Sequence, residues 1–189
     1  LSLLEALLAR RSIPAEALVA PGPDQAAIDA AIDAALRAPD HGRVQPWRFR
    51  LVRGAARAAF GELLYRSALA REPAAPPAQF EKLRARPLQA PLVIIASARL
   101  KPHPKVPEVE QLLAAGAGVM NLLNGFSAQG FGAIWLTGPS AYDPAVIAGL
   151  GLPPEERLLG FVYVGTIAAQ VPPSAPRMQR AAAASDWTG

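Results

Sequence analysis

The sequence predicts a mixed α/β (α+β) fold, with a small central sheet covered on both faces by helices. Three observations carry that prediction. Helical patterns bracket only a few strand patterns. The stretch "APLVIIASA" is apolar and β-branched, the mark of a strand buried on both faces. A long apolar segment rich in small residues, Ala114, Ala115, Gly116, Ala117 and Gly118, then suits close packing at a domain centre or a subunit contact. At 189 residues and 51% hydrophobic, the chain is large enough to bury a substantial core.

The elements follow in order. Ser2-Leu3-Leu4-Glu5 has the capping-box pattern, so a helix is expected to start there, repeat through Leu4, Leu7 and Leu8, and end in Arg10-Arg11-Ser12 before Pro14. Asp24 is a good N-cap for a second helix whose stripe is Ile28, Ile32 and Leu36, with Arg37 in its last turn and Pro39 as its stop. "WRFRLV" alternates, so Trp47, Phe49 and Leu51 are expected on a core face and Arg48 and Arg50 on a wet one. Helices are then expected over "AARAAFGELLYRSALAR" and "QFEKLRAR", a buried strand over "APLVIIASA", and a loop at "LKPHPKVP". A long helix from Glu108 to about Gln129, the strand "GAIWLTG", a short helix after Asp143 and the strand "LLGFVYVGT" complete the order. Residues 1–166 are expected to form one domain, and 167–189 a Pro- and Ala-rich tail that lies along the surface or wraps a neighbour.

Composition narrows the chemistry. Without cysteine there is neither a disulfide framework nor a thiolate metal site, and cytoplasm is the expected compartment. His41 and His103 are far apart, so no histidine metal site is expected. The first residues read as a helix rather than a leader, and Asn121, Asn124, Ser127 and Gln129 argue against a membrane span in the uncharged stretch from Gln111 to Tyr142. The net charge of +4 comes mostly from scattered arginines, which fits a small anionic ligand better than a nucleic acid. "GFSAQG" has the wrong spacing for a nucleophile elbow, and "GAGVMN" lacks the third glycine of a dinucleotide fingerprint. Any chemistry is therefore expected to come from a bound cofactor, with no catalytic side chain and no metal. "ARRSIP" stands out, and two readings of it stay open. Arg10, Arg11 and Ser12 could cradle a phosphate, or the arginines could simply complement the helix dipole.

A helix ending in Arg-Arg-Ser, then "RAPDHGRVQPWRF", "KVPEVEQ", "AQGFGAIWLTG" and "GFVYVGT", in that order, resembles the nitroreductase family of flavoproteins, most of all its short bacterial YdjA-like branch. The likeness runs from about Leu3 to Thr166. It implies a nitroreductase-like fold, with a mostly antiparallel central sheet flanked by helices. It also implies an interlocked homodimer with FMN at the subunit interface.

By the same resemblance, Arg10, Arg11 and Ser12 match the flavin phosphate and ribityl segment. Arg37 and His41 match FMN contacts made from the other subunit, and Trp135, Leu136 and Thr137 the stretch beside the isoalloxazine ring. Gly125, Phe126, Ser127, Ala128, Gln129 and Gly130 correspond to nicotinamide contacts. The implied activity is ping-pong transfer of hydride from NAD(P)H through flavin N5 to nitroaromatic, quinone or similar flat acceptors. The alternatives are a flavin-binding or sensing protein without turnover and a member that reduces one particular metabolite. Gly42, Arg43 and Pro14 depart from longer relatives, and Arg177 and Arg180 are candidates for the basic residues those relatives bring from the C-terminus.

Overall fold

The computed structural model describes residues 2–173 and 176–188. Helix α1 (Leu3–Ala9) opens with the expected capping box: Glu5 N–H donates to Ser2 Oγ, and Ser2 N–H donates to the Glu5 carboxylate. It stops one residue before Arg10, so Arg10-Arg11-Ser12 leave it as extended chain rather than forming its last turn. The short strand β1 (Leu18–Val19) precedes α2 (Gln25–Ala35), which is capped by Asp24.

The buried face of α2 is Ile28, Ala31 and Ala35, while Leu36 is exposed and Arg37 lies beyond the helix. The expected stripe counted by fours, and eight residues overshoot two turns by about 80°, whereas seven nearly close them. Two of those buried positions being alanine lets α2 approach the later helix closely: a Cβ on Gly125 would stand 2.9 Å from Ala31 Cα.

Strand β2 (Trp47–Arg53), helices α3 (Ala56–Arg71) and α4 (Glu81–Ala85), and strand β3 (Leu92–Arg99) follow. They lead into α5 (Glu108–Ala128), β4 (Phe131–Leu136), α6 (Pro144–Gly149), β5 (Glu156–Ile167) and α7 (Arg180–Ala183). The sheet is antiparallel at every pairing, with β2 beside β3 and β3 beside β5. Thr166 of β5 faces both Val19 and Phe131, so β1 and β4 lie on opposite edges of β5 and β1 continues the β3 side.

β3 is buried along seven of its eight residues, as its composition required. Its Leu92, Ile94 and Ala96 pack with α2 and α5. Its Val93 and Ile95 pack on the other face with Phe60 and Leu64 of α3 and Val146 of α6.

β2 departs from the expected wet face. Val52 shares a side with Arg48 and Arg50, yet it is buried in the α3-side core, and Arg50 donates to the buried Glu156 carboxylate at 2.7 Å. A cation is tolerated there because β5 delivers its counter-charge. No helix of the described residues is long and apolar enough to cross a membrane.

Candidate functional site

The segment after α1 is tied to β4 where Ile13 N–H donates to Ala133 O at 3.0 Å, and Ile13 itself is buried. That bond sets Arg10 and Arg11 over the start of β4 and the end of α5. A cavity of about 150 Å³ opens between them, lined by Arg10, Arg11, Ile13, Leu123, Ser127 and Phe131 among others. Arg11 is steadied by the tail, its Nη1 donating to Pro172 O at 2.7 Å, and Arg177 donates to Arg10 O.

Arg10 has less support. Its Nε is buried and has no hydrogen-bond partner. Burial and then the nearby charge of Arg177 lower its pKa below the usual guanidinium value. A buried N–H without an acceptor is costly, and the deficit is what an anion with several acceptor oxygens would remove. The cradle suggested by "ARRSIP" therefore has the right donor chemistry for a phosphate group, with Ser127 adding a hydroxyl and Ser12 exposed beside it.

The second group lies further along β4. Trp135 is 36% exposed, and its indole N–H donates to Leu159 O at 2.9 Å, pinning the ring across β5. The pinning depends on Gly160, which has φ +131°. A Cβ there would fall 2.5 Å from Leu136 O and 2.7 Å from Trp135 Nε1. Leu136 is half-buried against the α3-side core, and Thr137 is exposed.

Arg37 and His41 lie elsewhere in the chain. Arg37 is exposed just past α2, and His41 sits in a 3-10 turn where its Nδ1 meets Glu110 Oε2 of α5 at 2.5 Å. Asp40 holds that turn by accepting from Gln45 N–H at 2.8 Å, and Gly42, Arg43 and Gln45 all have positive φ. The polar run before Trp47 thus builds a tight reversal, after which Trp47 enters the core and donates its N–H to Ala114 O. Glu110 was not singled out from sequence, because nothing local relates it to a histidine 69 residues away.

Glu110 and Ser127 stand at opposite ends of α5, about 25 Å apart at 1.5 Å per residue. His41 is therefore remote from the Arg10 cavity within one chain, and Arg37 is not among the residues that line that cavity.

The stretch from Gly125 to Gly130 divides. Only Ser127 reaches the Arg10–Arg11 cavity. Phe126 is fully buried in the α2–α5 core, and Gly125 packs on Ala31. Ala128, Gln129 and Gly130 are exposed at the helix end, where the Gln129 amide donates to Gly125 O and Ala27 O. The periodicity of α5 could have separated Phe126 from Ser127, since adjacent residues on a helix point about 100° apart.

Comparison with known proteins bears on the whole of this arrangement. The model of the Nitroreductase family matches residues 7–166. The Escherichia coli (strain K12) protein provisionally named NAD(P)H nitroreductase YdjA is 36% identical over 163 residues, 86% of this chain and 87% of its own. The nitroreductase-like family protein of Bacillus cereus superposes with a TM-score of 0.84 at 21% identity, over 100% of this chain and 97% of its own. A variant of NfnB, the FMN and NADPH-dependent nitroreductase of Sphigopyxis sp. strain HMH, does so with a TM-score of 0.77 at 21% identity, over all of both chains. The two structures share the α+β architecture built above. The family match covers both arginines of the cradle and all of the sheet but Ile167, and on it the chain belongs to the nitroreductase family.

Proposed function

We propose that the protein is an FMN-dependent NAD(P)H oxidoreductase that works as a homodimer and reduces nitroaromatics, quinones or related flat acceptors. The observation that carries the proposal is the buried Arg10 Nε without a partner, set beside Arg11 and Ser127 in a cavity at the start of β4. In this reading Arg10 and Arg11 hold the FMN phosphate through charge-assisted hydrogen bonds, and Ser12 and Ser127 supply hydroxyls along the ribityl chain. Trp135, Leu136 and Thr137 give the ring a rigid backing, since the Trp135 indole is already fixed to Leu159 O. Gly125, Ala128, Gln129 and Gly130 remain the proposed nicotinamide side. Phe126 would serve only by filling the core beneath it.

FMN, when bound, would supply the hydride chemistry that links NAD(P)H to the acceptor. No side chain is asked to act as acid or base. This chain's work is to bind, orient and counter charge. His41, remote from the Arg10 cavity of its own chain, and Arg37, which does not line that cavity, serve the site of a second copy.

The test is the visible spectrum of the purified protein, recorded anaerobically before and after NADPH is added. Two flavin bands that bleach are the expected result. Flavin bands that persist would make it a binding or sensing protein, and an absence of bands after incubation with FMN would refute the cofactor.

A further inference from the structure

β4 ends at Leu136, and the chain then turns through Thr137 and Gly138 along the wall of a second cavity of about 370 Å³. Arg71, Lys82 and Arg86 line it together with one acid, Glu72, and with Gln79, Thr137 and Ser140. Arg71 is already matched, donating to the buried Asp143 carboxylate at 2.7 Å and lying 3.4 Å from Glu72. The neighbouring acids Glu62 and Glu81 are matched too, both by Arg84.

Lys82 and Arg86 are different. Among the described residues neither side chain has a hydrogen-bond or carboxylate partner. They stand four residues apart at the end of α4, where the backbone of Arg86 is still helical, so two like charges share one face and repel. Glu16 lines a smaller cavity, of about 260 Å³, on the flank of the same two cations without bonding to either. The fold thus neutralises the cations around this cavity and leaves unmatched the two that line both hollows.

We propose that this cleft is an anion-recognition subsite, in which Lys82 and Arg86 take the anionic group of a small molecule whose flat part lies against Thr137. The proposal rests on the oxidoreductase reading above, because Thr137 ends the stretch assigned there to the flavin ring. The anionic group has two possible sources, the carboxylate of an aromatic acceptor or the 2′-phosphate of NADPH. Guanidinium and ammonium groups bind both.

The experiment measures equilibrium binding by calorimetry, on the protein as purified and after incubation with FMN. The probes are two pairs that differ in one charged group: 4-nitrobenzoate against its methyl ester, and NADP+ against NAD+, the oxidised nucleotides keeping the 2′-phosphate difference without passing hydride to the flavin. Wild type, Arg86→Gln, Lys82→Gln and the double variant are compared, with circular dichroism to show that each is folded.

The wild type is expected to bind the more anionic member of one pair about ten-fold more tightly, and each substitution to remove most of that preference. Preference within the nitrobenzoate pair identifies an acceptor carboxylate, and preference within the nucleotide pair the 2′-phosphate. Equal binding within both pairs, or a preference that survives in the double variant, overturns the subsite. A yellow protein that oxidises NADPH with the neutral ester but shows no charge preference defeats the subsite alone. A protein that takes up no FMN yet keeps the preference defeats the flavin reading alone.

Discussion

Arg10 leaves α1 with its guanidinium partly desolvated, its Nε without an acceptor and a second arginine nearby. A residue held at that disadvantage is replaceable as far as folding is concerned, and its value lies in what it binds. Arg10→Ala is therefore expected to purify as a folded protein that has lost most of its flavin, measured as the ratio of visible to ultraviolet absorbance. Full flavin content in that variant would remove Arg10 from the phosphate. His41→Ala should lose less flavin, because it removes a single imidazole contact and leaves both arginines of the cradle in place. Gly160 sits at the other extreme, required by geometry alone. Gly160→Ala places a Cβ 2.5 Å from Leu136 O at φ +131°, and is expected to cost about 1–3 kcal/mol of stability. The same substitution should release the Trp135 indole, so its fluorescence should shift toward that of a solvent-exposed tryptophan. An unchanged urea midpoint would show that the bend at Gly160 relaxes freely.

At the scale of elements, β2, β3 and β5 are joined by more than backbone bonds. Arg50 of β2 and Ser97 of β3 both donate to Glu156 Oε2 of β5, at 2.7 and 2.8 Å. Burial alone would raise the Glu156 pKa, but the hydrogen bonds from Arg50 and Ser97 and the charge of Arg50 outweigh it, so the net shift is downward. Asp143 behaves alike, with burial opposed by Ser67, Ala145 N–H and Arg71. A carboxylate whose pKa is lower folded than unfolded binds more protons when unfolded. Its contribution is present above the unfolded value and is lost as pH falls through the folded one. The urea midpoint is therefore expected to decline on acidification below the ordinary carboxylate range, and Glu156→Gln should flatten part of that decline. An identical acid profile in Glu156→Gln would mean that the pair adds nothing to folding.

These pairings also mark how far the sequence could be read. β3 was legible because a strand buried on both faces has only one composition. The face of β2 that carries Arg48, Arg50 and Val52 was not, because its partner acid lies 106 residues away and alternation cannot tell a paired arginine from a solvated one. Arg10 and Arg11 were legible as an unusual local pair. Their alliance with Ser127 depended on the path of β4, which no local pattern records.

The whole molecule shows a surface that one chain leaves bare. Val109, Leu113 and Met120 project from α5 into solvent, with Leu113 68% exposed, and a Cβ on Gly116 would meet nothing within 4 Å. α1 adds Leu3, Leu4 and Leu8, the first of them 78% exposed, so the helix that delivers Arg10 buries none of its residues. Exposed apolar side chains concentrated on two helices mark an interaction surface, and small residues beside them permit close helix approach. The proposed homodimer would cover both helices, and it would also bring Arg37 and His41 from one copy to the Arg10 cavity of the other. Assembly and flavin binding are then one equilibrium, since a ligand that bridges two chains stabilises their association. Leu113→Glu puts a charge in the middle of the exposed apolar face of α5, outside the core. It is expected to shift the protein to a monomer in analytical ultracentrifugation and to reduce flavin content at the same time, with excess FMN partly restoring the dimer. A Leu113→Glu protein that stays dimeric would place the interface elsewhere, and a monomer that keeps its full flavin would mean that the site is complete within one chain.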